Sequence, residues 1–600
     1  MPEAKPILKR SEIDDKYKWK LEHLFETDDK WEETFAEISK KVETSDRFAG
    51  TLGESSENLL NCLKENDDIC LVLDKLYVYS NMRLHQDSTN AFYQSQSNKA
   101  EMLMVKYMGK TAYITPEIVA IPEEKLKKFV AENNALRLYE HFLDNITRKN
   151  AHVLSQKEEA ILAKTGEISN TAEDIFAMIN DADIKFPEIK NENGEMVPLT
   201  KGRYTSFMES ENRDVRKAAF EALYDTYIKQ KNTLAATYYS SVKKDVFYAQ
   251  VRNYSSSLEA ALDDDKIPVS VYETLVNAVH KYLPLMHRYV KIRKKILGVD
   301  ELHMYDLYTP LVENADIKIN YEDAKKKVAE ALAPMGEEYV AALKEGFDGG
   351  WIDVYENEGK RGGAYSWGTY PGHPYVLLNQ ADNINSMFTI AHEMGHALHS
   401  YYTWKKMPYI YSGHKIFVAE VASTCNEALL MEYMLKTTTD KKARKYLINY
   451  FLEQFKGTFF RQTMFAEFEK LTHEAVEKGE PLTCEGMCKM YHDLNRQYFG
   501  DDIVIDERID MEWARIPHFY NAFYVYQYAT GYTAAIALSR KILDEGQSAV
   551  EKYTDFLSKG CSEYSIDLLK GAGVDMTSPE PFEKAMAVFA DLLDKMEAEI

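Results

Sequence analysis

The chain has 600 residues, of which 45% are hydrophobic and 28% charged, a composition typical of a globular protein with two or more subdomains. Its 73 basic and 96 acidic residues give a net charge of −23, which argues against nucleic acid and anionic membranes as partners. The six cysteines follow no disulfide or zinc-knuckle spacing, and the first residues contain no apolar run of the kind that directs secretion. We therefore expect reduced thiols and a cytoplasmic location.

Apolar residues recur at helical spacing from the early part of the chain onward. Trp31, Phe35 and Ile38 form such a stripe. Thr27, which precedes them, is of a type that commonly caps a helix. Similar stripes continue through most of the chain, with no fixed-period repeat or low-complexity segment between them. This pattern predicts a mainly α-helical protein.

Residues 184–200 interrupt the helical pattern. Two short runs of β-prone residues flank the pair Asn193 and Gly194, which favours a β-hairpin. Each run contains a proline, Pro187 in one and Pro198 in the other, and proline cannot donate to a central ladder. We therefore predict an edge hairpin at this place.

A glycine-rich tract, residues 349–372, contains no phosphate-binding loop pattern and leads into the short apolar run His373–Asn379. This run predicts a β-strand. Such a strand either binds an extended peptide by pairing with its backbone or serves a structural purpose alone, and the sequence leaves both interpretations open. On the first interpretation, His373 and Tyr375 are candidate substrate-binding residues.

The segment from His392 to His396 has the pattern H-E-x-x-H, and apolar residues at helical spacing precede it. Residues four apart on a helix lie on one face, about 6 Å apart along the axis, so His392 and His396 can bind one Zn²⁺. Glu393 then lies towards the open side of the metal, where it can take a proton from a zinc-bound water that attacks a peptide carbonyl. We predict one zinc ion per chain, with Glu393 as the general base.

The third protein ligand must come from another part of the chain. The pattern in which a third histidine follows on the same segment is absent, because Tyr402 stands at its position. His399 would lie about 10 Å along the helix from His392, which suits a supporting role. Glu420 and Glu427 share one face of a predicted apolar helix, where carboxylates are costly unless they are paired or coordinated. We assign Glu420 to the metal and Glu427 to a supporting role, such as orienting a ligand imidazole, and the exchange of these two roles is the alternative.

The apolar stretch Ala522–Leu538 is the one segment that suggests a membrane span. It contains Gln527, Gly531 and several tyrosines, and it lacks basic flanks of the usual kind. We therefore predict a buried helix in this region and no membrane partner.

Several of these motifs resemble a known group of enzymes. The segment His392–His399, together with Phe417–Glu420 and Glu427, resembles the thimet oligopeptidase and oligoendopeptidase F group of zinc peptidases. The segments Tyr17–Leu21 and Arg515–Gly531 resemble oligoendopeptidase F in particular, so the resemblance spans most of the chain. It implies a mainly α, bilobal zincin-type peptidase with a small β-ribbon beside the H-E-x-x-H helix. It also implies a deep central channel that admits only short, unfolded peptides.

The resemblance also implies roles for individual residues. It makes His392, His396 and Glu420 the zinc ligands and Glu393 the general base. His518 matches a histidine that such enzymes place against the substrate carbonyl.

Tyrosines near this histidine serve the same purpose in the family. The spacing of Tyr524, Tyr526, Tyr528 and Tyr532 differs by about one residue from the thimet pattern, so the resemblance does not select among them. Helical geometry puts Tyr524, Tyr528 and, less closely, Tyr532 on one face. We predict that Tyr528 is catalytic together with His518 and that Tyr524 binds substrate.

On this basis residues 1–190 are predicted to form an N-terminal helical lobe, and residues 191–600 the zinc peptidase region. The predicted function is hydrolysis of internal peptide bonds in short, unfolded oligopeptides. A zinc carboxypeptidase on a similar helical scaffold and a non-catalytic peptide-binding protein are the alternatives. The sequence leaves open whether the protein is a monomer or a homo-oligomer.

Overall fold

Helix accounts for 72% of the structure, which confirms the predicted mainly α fold. The computed structural model describes residues 7–312 and 318–599, without the side chains of Gln156 and Glu167. Within these ranges five short strands form one hairpin and one three-stranded sheet.

The chain passes between two units of mutually contacting residues. The first unit consists of Met1–Ala151, Ile317–Tyr433 and Leu538–Gly573, and the second of His152–Asp316, Met434–Ala537 and Val574–Ile600. Each unit therefore combines segments that are far apart in sequence. The predicted division cuts the chain once, at residue 190, whereas each unit contains segments from both sides of that cut. The division stays a prediction.

The α-helices of the described residues are numbered in chain order. The earlier ones are α1 (Asp28–Glu43), α2 (Ser56–Gln86), α3 (Ala91–Thr111), α4 (Ile114–Ala120), α5 (Glu123–Glu132), α6 (Glu140–Thr147), α7 (Gln156–Ser169), α8 (Thr171–Ala177), α9 (Lys201–Met208), α10 (Arg213–Ile228), α11 (Lys231–Val251), α12 (Ser257–Leu262) and α13 (Val269–Leu297). The later ones are α14 (Tyr321–Ala331), α15 (Glu337–Asp348), α16 (Ile384–Lys406), α17 (Ile416–Thr437), α18 (Lys441–Gln454), α19 (Arg461–Glu477), α20 (Cys484–Phe499), α21 (Tyr526–Glu545), α22 (Gln547–Leu557), α23 (Ser565–Gly571) and α24 (Glu580–Ala598).

Side-chain caps explain where several helices begin. Thr27 accepts a hydrogen bond from the backbone N–H of Lys30 at 3.3 Å, so α1 begins where the sequence predicts a cap. Asn383 caps α16 in the same way, because its Oδ1 accepts a hydrogen bond from the N–H of Ser386 at 2.9 Å. The start of the helix that carries the H-E-x-x-H segment is thus fixed by local sequence.

Most of the apolar stretch Ala522–Leu538 lies in α21, as a largely buried helix. Ala529, Ala534 and Ala535 on this helix are fully buried. Of the helices that the structure describes, none combines the length and the apolar character needed to cross a membrane.

Strands β1 (Glu188–Lys190) and β2 (Met196–Pro198) form the predicted hairpin. They are antiparallel, with Ile189 opposite Val197. Gly194 in the connecting turn has a φ of 79°, a conformation that residues with a side chain rarely adopt. Among the described residues the hairpin is a separate two-stranded sheet, which confirms the prediction of an edge ribbon.

Strands β3 (Ile352–Asp353), β4 (Tyr365–Trp367) and β5 (Tyr375–Leu377) form the second sheet. The order is β3-β5-β4, so β5 is the central strand, parallel to β3 and antiparallel to β4. All three residues of β5 are fully buried. Two of them, Tyr375 and Leu377, belong to a hydrophobic core of the first unit that also contains Trp19 and Trp31.

Helices α16 and α17 meet at Gly395. A Cβ atom built on this glycine would lie 2.5 Å from the Cα of Ser423 and 2.7 Å from the carbonyl oxygen of Ala422. Both are backbone atoms of α17, which have no rotamer through which to move away. The two helices therefore approach so closely that only glycine fits, and this approach places the H-E-x-x-H segment against the part of α17 that carries Glu420 and Glu427.

Gly395→Ala should force α16 and α17 apart and lower the free energy of unfolding by about 1–3 kcal/mol, the usual cost of overpacking. Gly109→Ala is the matched control, because Gly109 lies in α3 and no neighbouring atom lies within 4 Å of a Cβ built there. Alanine at that position should raise the free energy of unfolding by about 0.5–1 kcal/mol through helix propensity. Denaturant unfolding measures both changes, and equal stability of the two variants would contradict the close approach.

Candidate metal centre

Two histidines of α16 and one glutamate of α17 converge in the first unit. The Nε2 atoms of His392 and His396 are 3.2 Å apart. Oε2 of Glu420 lies 3.4 Å from each of them. Among the described residues these three side chains form the one group whose potential ligand atoms lie within 4.8 Å of one another.

The spacing and chemistry of these atoms fit a catalytic zinc ion. Zinc ligands at about 2.0–2.1 Å in a tetrahedron lie about 3.3 Å from one another. The separations of 3.2, 3.4 and 3.4 Å match this value without any movement of the backbone. Two imidazoles and one carboxylate also leave a fourth position for water or substrate, as catalytic zinc sites do.

Glu427 fixes the orientation of the His392 ring. Its Oε1 accepts a hydrogen bond from Nδ1 of His392, so Nε2 of the neutral imidazole carries the lone pair that a metal requires. Burial disfavours the charged form of His392, but the hydrogen bonds with Glu420 and Glu427 outweigh it and raise the pKa of His392 to about 10. The two carboxylates therefore favour a positive charge at this place, which a metal cation on Nε2 would supply instead of a second proton.

Glu420 is held as a carboxylate. Burial works against its charged form, but hydrogen bonds with His392 and His396 outweigh burial and hold the pKa of Glu420 well below the usual range. The hydroxyl of Ser423 also donates to Oε2 of Glu420 at 3.1 Å. An ionised carboxylate at this place is the form that binds a cation.

Glu393 follows the first of these histidines in the sequence, and its side chain is 7% exposed. Burial is the main cause that raises the pKa of Glu393, against the opposing effect of His392 and His396. A carboxylate with a raised pKa exchanges protons more readily near neutral pH than an ordinary one does. The side chain is therefore suited to acid and base chemistry.

Two residues that no sequence pattern singled out hold α17 against α16. Asn426 donates a hydrogen bond from Nδ2 to the carbonyl oxygen of Ala391 at 3.1 Å and accepts one from the hydroxyl of Tyr339 at 2.8 Å. Both side chains are almost fully buried. The signal for Asn426 was its polarity within an apolar helix, directly before Glu427.

His399 lies further along α16 and packs into the interior of the first unit. Its ring centroid is 3.8 Å from that of His414 and 5.3 Å from that of Phe556. The hydroxyl of Thr403, on the same helix, donates to the carbonyl oxygen of Leu557 at 2.8 Å. Burial lowers the pKa of His399 well below its usual value, so the ring is neutral and contributes packing.

The structure corrects the prediction that a substrate pairs with the strand at Tyr375. β5 is flanked by β3 on one side and β4 on the other, so its backbone has no free edge for a peptide. The side chain of Tyr375 is fully buried, and its hydroxyl donates to the carbonyl oxygen of Lys20 at 3.2 Å. The predicted pairing with β5 is therefore wrong, and Tyr375 belongs to the core.

His373 is also engaged within the protein. Its ring stacks on Trp351 with a centroid distance of 5.1 Å. One ring nitrogen lies 2.8 Å from Nδ1 of His23 and the other lies 2.9 Å from the carbonyl oxygen of Pro374. These contacts occupy both nitrogens, so the ring has none left for a hydrogen bond to a substrate.

β4 has the open edge that β5 lacks. In the part of the chain that the structure describes, no strand pairs with the outer side of β4. The N–H of Val376 points towards β3, because it donates to the carbonyl oxygen of Trp351 at 2.9 Å. Ser366 lies opposite Val376 in antiparallel register, so the N–H and C=O of Ser366 point outward from the sheet.

The predicted residues His518, Tyr524 and Tyr528 form a cluster of rings in the second unit. The ring centroid of His518 lies 6.0 Å from that of Tyr524 and 6.2 Å from that of Tyr528, and the two tyrosine rings are 5.5 Å apart. His518 is exposed, and both tyrosines are half-buried. The structure thus brings these three side chains together.

The other two tyrosines of the stretch are core residues. Tyr526 is 3% exposed and its ring lies 5.1 Å from that of Tyr272. Tyr532 is 5% exposed and its ring lies 5.0 Å from that of Phe455. Helical spacing excludes Tyr526 from the face of Tyr524 and Tyr528, but it does not show that Tyr532 is buried.

A buried glutamate, Glu469, supports the cluster through a hydrogen bond to the backbone of Phe523, the residue before Tyr524. Phe523 has a φ of 58°, and its N–H donates to Oε1 of Glu469 at 3.0 Å. Glu469 is fully buried, and burial raises its pKa well above the usual range. The hydrogen bond offsets part of the strain at Phe523 and so helps to fix the start of the Tyr524 segment. No pattern in the sequence indicates this contact.

Two family models match the chain. The model for peptidase family M3 matches residues 206–588, and the model for oligopeptidase F matches residues 117–186. The oligopeptidase PepF of Bacillus subtilis is 51% identical over 99% of this chain and 89% of its own length. An oligoendopeptidase F homolog of Lactococcus lactis is 44% identical over 98% of each chain.

Solved structures give the same result. A putative peptidase from Chlamydophila abortus is 34% identical and superposes with a TM-score of 0.94 over 99% of this chain and 100% of its own. The oligoendopeptidase-F of Enterococcus faecium is 40% identical, with a TM-score of 0.75 over 95% of this chain and 99% of its own. The chain therefore belongs to the oligoendopeptidase F group of peptidase family M3 and is a metallopeptidase.

Proposed function

We propose that the protein is a cytoplasmic, zinc-dependent endopeptidase that hydrolyses internal bonds of short, unfolded oligopeptides. The observation that carries this proposal is the spacing of the three potential ligand atoms, 3.2 to 3.4 Å, beside the buried carboxyl group of Glu393. The names of the relatives, oligoendopeptidase F, support internal cleavage of oligopeptides. The limit to short, unfolded peptides is proposed from the family resemblance alone.

One zinc ion per chain would be held by His392, His396 and Glu420. When bound there, zinc polarises a peptide carbonyl and lowers the pKa of water. Glu427 keeps the proton of His392 on Nδ1, and this leaves the Nε2 lone pair available as a donor.

Glu393 moves the proton in the proposed reaction. Its carboxylate accepts a proton from the attacking water and later returns it to the leaving amine. The raised pKa favours this double role, because a more acidic carboxyl group would hold the proton too weakly to deliver it.

His518 and Tyr528 are proposed to donate hydrogen bonds to the substrate carbonyl oxygen as it gains negative charge, and Tyr524 to contact the substrate. A donor in this role contributes about 2–4 kcal/mol to the stability of the transition state. The proximity of the three rings supports their action as a group.

The peptide is proposed to pair with the outer edge of β4. The N–H and C=O of Ser366 at this edge are available to an extended backbone, as in other cases of strand addition. This placement replaces the pairing with β5, which was one of the two interpretations of the sequence.

Mass spectrometry of the products from peptides of graded length and one unfolded protein tests the proposed activity. We expect internal cuts in the short peptides, with the protein spared. Glu393→Gln should keep its zinc, because all three ligands remain, and lose nearly all turnover, because an amide cannot take the proton. A chelator should abolish cleavage by the wild type, and added zinc should restore it.

Glu420→Ala is the paired control, since it should lose both zinc and activity. Substantial turnover by Glu393→Gln would refute the proposed proton transfer, and normal zinc content in Glu420→Ala would exclude Glu420 as a ligand. Removal of single C-terminal residues would identify a carboxypeptidase instead. Tight peptide binding without cleavage would identify a peptide-binding protein.

Ser366→Pro should raise KM for peptide substrates by about 3–10-fold, because proline removes the one N–H that points outward from β4 and so one backbone hydrogen bond to the substrate. The bonds between β4 and β5 should persist, since they use Tyr365 and Trp367. Ser366→Ala is the control, with the N–H kept and KM unchanged. Equal KM values for the two variants would mean that substrate does not pair with this edge.

Tyr528→Phe should lower kcat by about 10²–10³-fold with little change in KM, because it removes a donor that acts mainly in the transition state. Tyr526→Phe is the matched control two residues away, with a ring buried against Tyr272. It should alter stability more than kcat. Steady-state kinetics of the two variants decides the point, and similar kcat values would remove Tyr528 from the reaction.

A further inference from the structure

Three carboxylates of the second unit each lie between two cationic side chains. The groups are Asp306 with Arg213 and Arg216, Glu453 with Arg293 and Lys456, and Glu512 with Arg461 and Arg515. Six positive charges thus face three negative ones, although the whole chain has a net charge of −23. A surplus of positive charge is therefore a local feature of this part of the second unit.

In the Glu453 group, neutral oxygen atoms accept hydrogen bonds from the two cationic side chains in addition to those that Glu453 accepts. Nζ of Lys456 donates to the carbonyl oxygen of Leu307 at 2.6 Å as well as to Glu453. Nε of Arg293 donates to the carbonyl oxygen of Asp306 at 2.8 Å, and its Nη1 donates to the hydroxyl of Tyr289 at 2.9 Å. Backbone and hydroxyl acceptors thus complete this group.

The Glu512 group is built differently. Nη2 of Arg461 and Nη2 of Arg515 converge on the same oxygen, Oε1 of Glu512, at 2.5 and 2.7 Å. The hydroxyl of Tyr491 donates to the other oxygen at 2.6 Å. Burial opposes ionisation of Glu512, but the two guanidinium groups outweigh it and lower the pKa of Glu512 to about 2. One permanent negative charge is therefore shared by two cations.

Several donors around this group remain unused. Among the described residues no protein acceptor lies within hydrogen-bond distance of Nε and Nη1 of Arg461 or Nη1 of Arg515. The guanidinium groups of Arg461 and Arg515 lie over the rings of Tyr308 and Tyr204, each 5.8 Å from the ring centroid. Burial raises the pKa of both phenols, so their O–H groups stay protonated and able to donate. Both arginines, both tyrosines and Glu512 line one cavity of about 20 Å³, together with a larger number of apolar side chains.

We propose that this cavity binds one small monovalent inorganic anion of the size of chloride. The anion would accept hydrogen bonds from Arg461 and Arg515 and from the hydroxyls of Tyr204 and Tyr308. It would also offset the second positive charge of the Glu512 group, in which two guanidinium side chains, 22% and 23% exposed, share one carboxylate.

The size of the cavity selects the class of anion. One water-sized particle needs about 10–15 Å³ of such space, so a volume of about 20 Å³ admits a single ion. A phosphate ion or the carboxyl end of a peptide has too many atoms for it. A water molecule fits by size but would leave the positive surplus in place.

Thermal unfolding in chloride and in gluconate at equal ionic strength tests the proposal. Gluconate is too large for the cavity, so Tm should rise saturably by about 2–4 °C as chloride replaces it, since a ligand that binds only the folded state stabilises that state. This readout is independent of the proposed peptidase activity. A Tm that is the same in the two salts at every ratio would overturn the proposal.

Arg461→Met should remove the chloride dependence of Tm. Arg508→Met is the matched control, because Arg508 also pairs with carboxylates, Glu221 and Asp225, at an exposed part of the second unit. It should keep the full chloride dependence. Persistence of that dependence in Arg461→Met would place the anion at another site and overturn the assignment.

A third measurement does not depend on the folding of any variant. Crystals of the wild-type protein soaked in bromide should give an anomalous difference peak in the cavity that Arg461, Arg515, Tyr204 and Tyr308 line. The absence of a peak at this position, with bromide bound at other places on the protein, would overturn the proposal.

Discussion

The backbone contact between α16 and α17 at Gly395 is the constraint on which the candidate metal centre depends. The contact puts the carboxylates of α17 within reach of the imidazoles of α16, because no side chain separates the two helices at that level. One carboxylate, Glu420, then meets both Nε2 atoms, while another, Glu427, meets Nδ1 of His392. A single close approach thus sets both the donor atoms and the orientation of the ring that presents one of them. The hydrogen bond from Asn426 to the backbone of α16 holds the two helices in this register.

Much of the centre follows from helical periodicity. The four-residue spacing of His392 and His396 requires one face, and the seven-residue spacing of Glu420 and Glu427 requires another, so a sequence can name all four side chains. Periodicity does not show which glutamate lies beside both imidazoles, because both glutamates lie on the same face of α17. That distinction depends on how far along α17 the crossing occurs, and the crossing is set by Gly395. The mainly α fold and the isolated hairpin were also predictable, because caps, apolar stripes and an Asn-Gly turn are local signals.

Other features depend on contacts between distant segments, and the sequence could not reveal them. His373 and Tyr375 looked like substrate contacts because they belong to a short apolar strand, yet strand order decides whether such a strand has a free edge. The same limit applies to Tyr532, which shares a helical face with Tyr524 and Tyr528 but is covered by Phe455. The interleaving of the two units is a further example, since no local pattern marks the return of the chain to a unit that it left earlier.

The composition of the first unit has a consequence for biosynthesis. α16 packs against a segment made late: His399 contacts Phe556, and Thr403 donates to the carbonyl oxygen of Leu557. Because the ribosome releases the chain from its N-terminal end, these contacts cannot form until α22 has emerged, long after α16 and α17 themselves. The unit that carries the candidate metal centre therefore completes its packing late in translation. The contact at Gly395, in contrast, needs the chain only as far as α17, so the candidate centre can form before the unit that surrounds it is complete.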